Sequence, residues 1–530
     1  MLLNRDAYRA LEDIVGSENI SDDVAVIDSY CRSWGEEYLV GQGFKWMPRF
    51  AAIVLPGDTK EVQSIIKTCS RLKIRFKAHS TGYSPLMCSL KEGCLCLDLR
   101  RMNRILEINE KGMYVVVEPY VIGAVLQAEL MKRGLATGMI DPGAMTTALP
   151  IVPVHGVGNI ENTYANTHRN QLALEWVLPT GEILRTGSLG SGAGWFCSEG
   201  PGPSLRGIAC GNVAIAGGLG IFTKAAIKVY HWPGPTVLPV EGVSPNYRLK
   251  PEQKWFGFWF FSVPSYEKAA NAGNKIGQSE IAIVLQRSMA WRIAADSARS
   301  MEEAWGNLRK TYSQIEGKGR VGGWIVLIGA DTEKEFKYKE KTLMQIIKDV
   351  DGELLPFLED DLDAKLRFIS RWTRTSTCDR ETRRAGGGRI SAFITFDSID
   401  LQMNVARVST ELKREYIKAG RMVDDGGDQG MGNFGEHGRE GHVEQIAMAH
   451  YTAEGTETLR DFGRRSMEMM LDPGYRIIGN FCEWGPHFTD RKLREEVGSR
   501  YVHNEHLWNR KIKKTFDPEN LSDATFYSPE

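Results

Sequence analysis

The sequence lacks a long apolar run, a closely paired cysteine motif and an excess of charge of one sign. Its 66 Lys and Arg residues nearly balance its 67 Asp and Glu residues, for a formal net charge of −1. Balanced charge favours neither nucleic acid nor an anionic membrane surface as a partner. The most apolar stretch, Trp255–Val263, is about half as long as a membrane-spanning helix. We therefore expect no transmembrane segment and no nucleic-acid partner.

The nine cysteines are odd in number and scattered, and no two form a CxxC pair. This spacing excludes a zinc ribbon and a ferredoxin-type iron–sulfur site, so we expect buried, reduced thiols. The first residues, MLLNRDAYRALEDIVG, carry charges throughout, which indicates an amphipathic helix and not a secretory signal. Together these features favour a cytoplasmic protein.

A chain of 530 residues is expected to fold as two or three domains. Residues 51–235 alternate short strand and helix patterns with glycine-rich turns between them. From about Pro235 onward, strand-like runs are separated by long helical segments, including Ser297–Tyr312 and Glu333–Asp349. This second pattern predicts a broad antiparallel sheet with helices on one side, which is an α+β arrangement.

Three loops rich in small residues punctuate the first of these regions. In the segment Arg75–Asn103, a strand ends at a loop that contains Ser80, Thr81, Gly82 and Ser84. Consecutive backbone N–H groups in such a loop can hold a pyrophosphate. A second loop follows within MKRGLATGMIDPGAMTTALPIVPVHGVGNIENTY, and a third lies in Gly200–Val229. Three loops at strand ends predict a long, extended cofactor.

The order of these motifs resembles the vanillyl-alcohol oxidase and para-cresol methylhydroxylase flavoprotein family. The matching phrases are the loop Ala78–Ser84, LDLRRMNRILEI at 97–108, VLPTGEILRTG at 177–187, the glycine pattern at 202–224, and Ile512–Asn520. The resemblance implies a two-part FAD-binding domain formed by both chain ends, with a central α+β cap. The implied divisions are an N-terminal helical segment (1–47), the FAD-binding domain (48–235), the substrate or cap domain (236–478), and a C-terminal segment (479–530) that completes the FAD domain and active site.

The resemblance also places FAD contacts on individual residues. They are Ala78, His79, Ser80, Thr81, Gly82, Tyr83 and Ser84 in the first loop, Gly156, Gly158, Asn159 and Asn162 in the second, and Gly220 and Ile221 in the third. Some relatives attach FAD through a histidine in the position of His79. The loop is one residue shorter here, so a histidine that only lines or caps the loop is the alternative.

The candidate substrate residues lie in GNFGEHGREGHVEQIAMAHY. His437 or His442 would take up a proton, and Arg439 would anchor a substrate anion. The hydroxy-acid dehydrogenases of the family hold a divalent metal with two histidines and a Glu; His437, His442 and Glu483 resemble that set at altered spacing. A metal-free polar pocket and a purely structural cluster are the alternatives. In a strand that starts at His442, Glu444 and His450 share its face.

These features predict an FAD-dependent oxidase or dehydrogenase that removes hydride from a small hydroxylated substrate, with a 2-hydroxy acid favoured. Oxidation of a phenolic or benzylic substrate is the alternative, although Trp484 and Gly485 stand where phenol-oxidising members carry a Tyr-Arg pair. A non-catalytic electron-transfer subunit and a lyase-like member are further alternatives. We expect an oligomer, with an electron acceptor or partner redox subunit. The basic stretch Arg367–Arg389 is predicted to be a solvated loop that could dock this partner.

Overall fold

The computed structural model describes most of the chain. The described residues are 3–31, 48–82, 88–89, 91–138, 146–149, 162, 167–243, 246–251, 253–374, 387–396, 398–428, 431–450, 452–470, 477–484, 495, 499 and 504–525. At 387–396 and 477–484 the description covers the backbone alone. Helices and both parallel and antiparallel sheets occur along these ranges, which confirms the α+β class.

The first part of the chain folds around two sheets. Their strands, together with a small β7–β11 pair, are β1 (Ile20–Ser21), β2 (Ala52–Val54), β3 (Phe76–His79), β4 (Leu95–Asp98), β5 (Ile105–Asn109), β6 (Tyr114–Val117), β7 (Leu135–Ala136), β8 (Gln171–Val177), β9 (Ile183–Arg185), β10 (Ile221–Lys228) and β11 (Tyr230–His231). Strands β2, β4 and β3 run parallel in a sheet of order β1-β2-β4-β3. The second sheet, of order β5-β6-β10-β8-β9, is antiparallel throughout.

The helix Thr59–Leu72 covers the parallel sheet, and its start follows from local chemistry. The carboxylate of Asp58 accepts hydrogen bonds from the backbone N–H groups of Lys60 (2.7 Å) and Glu61 (2.9 Å), which satisfies two donors of the first turn. The carboxylate of Glu61 accepts from the N–H of Gly57 at 2.7 Å. On the opposite side of the helix, three apolar residues at helical spacing are buried against the strands: Val62, Ile65 and Ile66.

The second part of the chain is built on one eight-stranded antiparallel sheet. Its strand order is β17-β14-β16-β15-β19-β20-β18-β21. The strands of this region, with a small β12–β13 pair, are β12 (Val240–Glu241), β13 (Arg248–Leu249), β14 (Phe256–Val263), β15 (Val284–Arg287), β16 (Val321–Gly329), β17 (Glu353–Leu354), β18 (Gly387–Phe396), β19 (Met431–Gly435), β20 (Glu440–His450) and β21 (Ile477–Trp484). We call this sheet the cap sheet. It confirms the predicted antiparallel sheet, whereas the prediction of helices on one side was wrong, because helices pack on both of its faces.

The two faces of the cap sheet have different neighbours. One face buries Trp324, Val326 and Leu285 beneath the helices Tyr266–Gln278 and Glu333–Asp349. The other face packs partly against Met131, Ala136 and Trp232 of the first part of the chain and partly against helices of the cap itself, where Phe260 meets Phe368 edge-on with 4.9 Å between ring centroids. The residues of this face in the cluster are Phe256, Phe258, Phe260, Val284, Ile325 and Leu327. We call this second face the inner face, because part of it packs against the domain that contains the three loops.

The helices agree with the expected pattern in most places. They are Arg5–Val15, Val24–Tyr30, Thr59–Leu72, Gly123–Met131, Gly187–Gly190, Arg206–Ala209, Asn212–Ile215, Tyr266–Gln278, Ala290–Ser297, Met301–Gln314, Glu333–Asp349, Pro356–Asp360, Leu362–Arg374, Ile399–Lys418, Ala453–Met470 and Glu505–Phe516. None of those found among the described residues combines the length and apolar character that crossing a membrane requires.

Two expectations about this region were wrong. The helix predicted over Ser297–Tyr312 begins only at Met301, because Ala298 adopts an extended backbone and Ser300 caps the helix by accepting from the N–H of Glu303 at 3.1 Å. The stretch predicted as a solvated loop from Arg367 begins inside the helix Leu362–Arg374. Arg367 and Arg371 are buried there, and Arg371 donates to the carbonyls of Ala295, Asp296 and Ala298. These arginines stabilise the cap and are not free to dock a partner.

The C-terminal segment returns to the first domain, as the resemblance implied. Phe516 stacks on Trp176 with 5.9 Å between ring centroids. In β3, the N–H of Phe76 donates to the carbonyl of Leu521, and the carbonyl of Phe76 accepts from the N–H of Asp523. Two buried lysines bind this segment to the domain. The Lys77 ammonium donates to the carbonyls of Ala216 (2.5 Å) and Asp523 (2.9 Å). That of Lys513 donates to the carbonyls of Gly218 (2.8 Å) and Ser522 (2.5 Å), and it forms an ion pair with Asp517.

Candidate functional site

The first predicted loop leaves the end of β3, where His79 lies buried with 8% of its surface exposed. Strand pairing places His79 opposite Asp98, whose carboxylate accepts hydrogen bonds from the hydroxyl of Tyr30 (2.6 Å) and from Arg100. The ring of His79 meets Tyr30 edge-on, with 5.1 Å between centroids. Burial lowers the pKa of His79, although the charge of Asp98 opposes this effect. The imidazole of His79, at the start of the loop, is therefore neutral.

The loop itself folds back over His79. Gly82 has a left-handed backbone (φ +69°), and a Cβ there would lie 3.1 Å from Nε2 of His79. Ala78, Ser80 and Thr81 are partly buried beside it. Tyr83 and Ser84, which the resemblance also implicated, lie outside the described residues. The packing of His79 beneath Gly82 favours a histidine that supports the loop over one that reaches out to form a covalent bond.

The third loop ends at Gly220 and Ile221, where β10 begins. Gly220 has φ +97°, and a Cβ there would lie 2.2 Å from the carbonyl oxygen of Val177. Only glycine therefore allows the loop to approach β8 this closely. The N–H of Gly220 donates to Ser522 Oγ at 2.9 Å, and that hydroxyl donates to the carbonyl of Gly217 at 2.6 Å. Ile221 is buried in the core of the parallel sheet.

In the second loop, Asn162 is described, whereas Gly156, Gly158 and Asn159 lie outside the described residues. Asn162 connects its loop to the cap by three hydrogen bonds. Its side-chain amide donates to the carbonyl of Ala282 at 2.7 Å, and its backbone N–H donates to the carbonyl of Ile283 at 3.1 Å. Its carbonyl accepts from the N–H of His437 at 2.5 Å. Asn162 therefore lies against the start of β15 and the β19–β20 hairpin.

A row of polar residues crosses four neighbouring strands of the cap sheet. Gln286 of β15 is opposite Asn433 of β19, Asn433 is opposite His442 of β20, and His442 is opposite Thr395 of β18. Neighbouring strands are about 4.8 Å apart, so the four positions span roughly 14 Å. Gln286 is also opposite Ile325, which places the row on the inner face. We call these four positions the polar row.

Three members of the polar row have described side chains, and all three are buried. Gln286 is 1% exposed, and Asn433 and His442 are each 3% exposed. Glu444 follows His442 on the same face of β20, as the sequence predicted, and it is also buried. The other end of β20 emerges at His450, which is exposed. A buried histidine, a buried carboxyl group and two amides are thus directed toward the loop-bearing domain.

His437 and Arg439 lie in the turn of the β19–β20 hairpin and not in the row. His437 has a left-handed backbone (φ 59°), and its carbonyl packs against Gly277 of the helix Tyr266–Gln278. Arg439 is exposed. A different arginine contacts this turn. The guanidinium group of Arg169 donates a hydrogen bond to the carboxylate of Glu436 at 2.5 Å. The structure therefore places His442, but not Arg439, within the buried polar set.

The predicted metal set is not gathered by the strand register. Glu483 is opposite Ala392 on β18, whereas His442 is opposite Thr395 on the same strand. An odd spacing of three positions assigns two residues to opposite faces of a regular strand. His437 is displaced further, into the turn. Within the side chains that the structure describes, no cluster of three potential metal ligands occurs.

Comparison with known proteins decides the nature of the first domain. Residues 50–187 match the model of the FAD binding domain family. The chain carries an FAD-binding domain. It is 30% identical over 192 residues to the probable mitochondrial D-lactate dehydrogenase of Danio rerio, and 27% identical over 164 residues to the flavoprotein subunit of 4-cresol dehydrogenase of Pseudomonas putida. These matches cover 36% and 30% of this chain, and 37% and 32% of the two relatives. The aligned part is therefore about a third of this chain and about a third of each relative.

Solved structures resemble the chain over nearly its whole length. p-Cresol methylhydroxylase with bound substrate superposes with a TM-score of 0.70 and 16% identity, over 98% of this chain and 96% of that chain. 4-Ethylphenol oxidase from Gulosibacter chungangensis, in complex with isoeugenol, gives 0.68 and 20%, over 99% and 97%. At these identities the likeness establishes the fold alone. It confirms the FAD domain closed by both chain ends and the central α+β cap.

The described loop residues fit FAD. Nδ1 of His79 and Oδ1 of Asn162 are buried without a hydrogen-bond partner among the described residues, so polar groups remain available where two of the loops meet the sheets. Gly82 and Gly220 allow the backbone to turn closely where a Cβ would not fit. Gly220 differs from the expectation in one respect, because its N–H already donates to Ser522. We therefore expect Gly220 to shape the loop and its neighbours to contact FAD directly.

Sequence reasoning missed two residues of the buried polar set, Gln286 and Asn433. Gln286 ends an apolar strand pattern, IAIVLQ, and a polar residue in such a run signals either an edge or a site. Asn433 stands in a glycine-rich segment that predicts a turn as readily as a strand. Neither position could be associated with His442 without the register of β15, β19 and β20.

Proposed function

We propose that the protein is an FAD-dependent oxidoreductase that removes hydride from a carbon bearing a hydroxyl group in a small organic substrate. The observation that carries the proposal is the polar row, with buried His442, on the face of the cap sheet directed toward the FAD-binding domain. Bound FAD would accept two electrons and a proton from the substrate as a hydride. The protein's own task is to orient the carbon and to take up the hydroxyl proton.

His442 is the residue best placed for that proton. It lies within the row, between Asn433 and the Thr395 position. Glu444 is the next residue of the same strand on the same face. Histidine is the side chain most often used to take up a proton in catalysis. Gln286, Asn433 and His442 are each at most 3% exposed, so bulk water is excluded from these three side chains.

The favoured substrate class is a 2-hydroxy acid. Support comes from the likeness of the FAD-binding part to the probable D-lactate dehydrogenase of Danio rerio and to the mitochondrial D-lactate dehydrogenase [cytochrome] of Arabidopsis thaliana. Arg439, at the hairpin turn, stays a candidate anchor for the substrate carboxylate. The proposed electron acceptor is oxygen, a soluble molecule or a partner redox subunit. Cytoplasmic location and oligomeric assembly stay predictions.

A second candidate is a phenolic or benzylic substrate. The observation that favours it is the similarity of the complete chain, cap included, to p-cresol methylhydroxylase and 4-ethylphenol oxidase. The two candidates share the hydride step and the role of His442. They differ in whether the group beside the reacting carbon is a carboxylate or an aromatic ring.

The test is anoxic mixing of the purified flavoprotein with D-lactate, glycolate, benzyl alcohol and 4-hydroxybenzyl alcohol, followed by the visible flavin absorbance. Bleaching by a hydroxy acid supports the first class, and bleaching by an aromatic alcohol supports the second. A flavin that dithionite bleaches but none of the four compounds does would contradict the proposal and favour an electron-transfer subunit.

A further inference from the structure

Gln286 is a buried amide whose hydrogen-bonding groups are unused. Its side chain is 1% exposed, and neither Oε1 nor Nε2 has a partner among the described residues. Just beyond the end of β15, Ser288 is also 1% exposed, and its hydroxyl is likewise unpartnered among the described residues. Gln286 lies on the inner face, and Ser288 follows it by two residues along the chain.

Unpaired buried polar groups destabilise a fold by about 1–3 kcal/mol each, and a folded protein seldom leaves two of them adjacent. An apolar residue would fill this place on the inner face at lower free energy, as Val284, Ile325 and Leu327 do around it. A group from outside the chain is therefore the expected partner of Gln286 and Ser288. Gln286 belongs to the polar row, which is the site proposed above for substrate oxidation.

The charge balance limits what that group can be. The buried cations closest in sequence are already paired: Arg287 with Asp428 at 2.7 Å, and Arg292 with Asp296 at 3.3 Å. An amide offers one donor side and one acceptor side. A carboxylate would use the donor but would face Oε1 with negative charge. A hydroxyl group can both donate and accept, so it satisfies Oε1 and Nε2 in turn.

We infer that Gln286, with Ser288, binds an uncharged hydroxyl group of the substrate other than the one that is oxidised. The inference rests on the proposed function and deepens it, because it names a second hydroxyl group as the feature that the cap recognises. Gln286 is a specificity-determining residue in this assignment. His442 remains the residue that takes up the proton.

The experiment uses two pairs of compounds, each differing by one hydroxyl group: D-glycerate with D-lactate, and 4-hydroxybenzyl alcohol with benzyl alcohol. For each pair, kcat/KM for flavin reduction is measured in the wild type, in Gln286→Leu and in Gln345→Leu. Gln345 lies on the surface helix Glu333–Asp349 and serves as the matched control. Thermal unfolding is recorded for each protein with and without each compound.

We expect the wild type and Gln345→Leu to prefer the hydroxylated member of at least one pair by about tenfold or more, since a lost hydrogen bond in a buried site leaves a group unpaired. Gln286→Leu should reduce that ratio to about one, mainly through KM. Its Tm without ligand should equal or exceed that of the wild type, because the amide makes no hydrogen bond within the described protein. A retained preference, or a Tm several degrees lower, would overturn the inference.

The failure of the proposed function is distinguishable from the failure of this inference. If no compound bleaches the flavin, the hydride proposal fails for these substrates, and the Tm shifts decide the remaining question. A hydroxylated compound that raises the Tm of the wild type but not that of Gln286→Leu still supports recognition by Gln286. The absence of any such shift overturns it.

Discussion

The hydroxyl group of Ser522 accepts a hydrogen bond from the backbone N–H of Gly220 at 2.9 Å, although the two residues are 302 positions apart. The same hydroxyl donates to the carbonyl of Gly217 at 2.6 Å. One side chain from the C-terminal segment thus holds both ends of the turn that forms the third FAD loop. The C-terminal segment therefore helps to fix the conformation of this predicted FAD loop.

Ser522→Ala should weaken flavin binding while leaving the fold intact. Removal of the hydroxyl leaves the N–H of Gly220 and the carbonyl of Gly217 without their side-chain partner, at a cost of about 1–3 kcal/mol. We expect a correspondingly lower free energy of unfolding and a higher dissociation constant for FAD, measured by titration of the apoprotein. Ser313→Ala, which removes an exposed hydroxyl on a helix surface, is the control. Equal FAD affinity in the two variants would contradict the role of Ser522.

Lys77→Met should be among the most damaging changes in the FAD-binding domain. The Lys77 ammonium is fully buried and donates to two carbonyls and to the hydroxyl of Thr525, with Asp523 Oδ1 at 3.5 Å. Removing the cation leaves a buried carboxylate uncompensated, which typically costs about 3–5 kcal/mol. Urea unfolding measures the loss. Lys73→Met, which breaks the exposed pair with Glu519, should cost no more than about 1 kcal/mol; a similar loss in both variants would refute the argument.

Stability should fall in acid partly through Asp523. Burial acts to raise the pKa of Asp523, but the charge of Lys77 and the hydrogen bond from Ser89 outweigh it and leave the pKa below the usual Asp range. A depressed folded pKa stabilises the fold above the unfolded pKa, about 3.9, and this contribution is lost as the pH falls through the folded pKa. The Tm difference between wild type and Asp523→Asn should therefore shrink from pH 7 to pH 3. A difference that is independent of pH would count against the ion pair.

His442→Ala should lower the rate of anoxic flavin reduction by about 100-fold or more, the range expected when a positioned base is removed. Stopped-flow absorbance with the best substrate of the panel measures the rate. His450→Ala changes the same residue type at the exposed end of the same strand and should leave the rate within about twofold. If the two variants behave alike, His442 has no part in the reaction.

Chelation should leave the enzyme unaffected. Register assigns His442 and Glu483 to opposite faces of the cap sheet, so a metal ion held by His437, His442 and Glu483 would require a rearranged strand. Dialysis against EDTA is expected to leave the flavin reduction rate unchanged, and metal analysis of the dialysed protein verifies the removal. Loss of reduction after dialysis, restored by one divalent cation, would reinstate the metal set.

Local patterns made much of the fold predictable. The cap of the helix Thr59–Leu72 depends on Asp58 and Glu61, which are neighbours in sequence, and β14 and the helix Glu333–Asp349 begin and end where apolar spacing placed them. The break at Ala298 and the burial of Arg371 were not predictable in this way. Both depend on contacts between the helices Ala290–Ser297 and Leu362–Arg374, which are distant in sequence.

The same division holds for the sites. The sequence motifs predicted FAD through their resemblance to a flavoprotein family, because each motif lies within a few neighbouring positions, and the match of residues 50–187 to the FAD binding domain confirms it. Tertiary structure alone brought Gln286, Asn433 and His442 into one row and placed Ser522 on Gly220. The reason is physical: pairing register and chain closure are decided by side chains packing across the whole sheet, and neighbours in sequence carry no record of which residue will stand opposite.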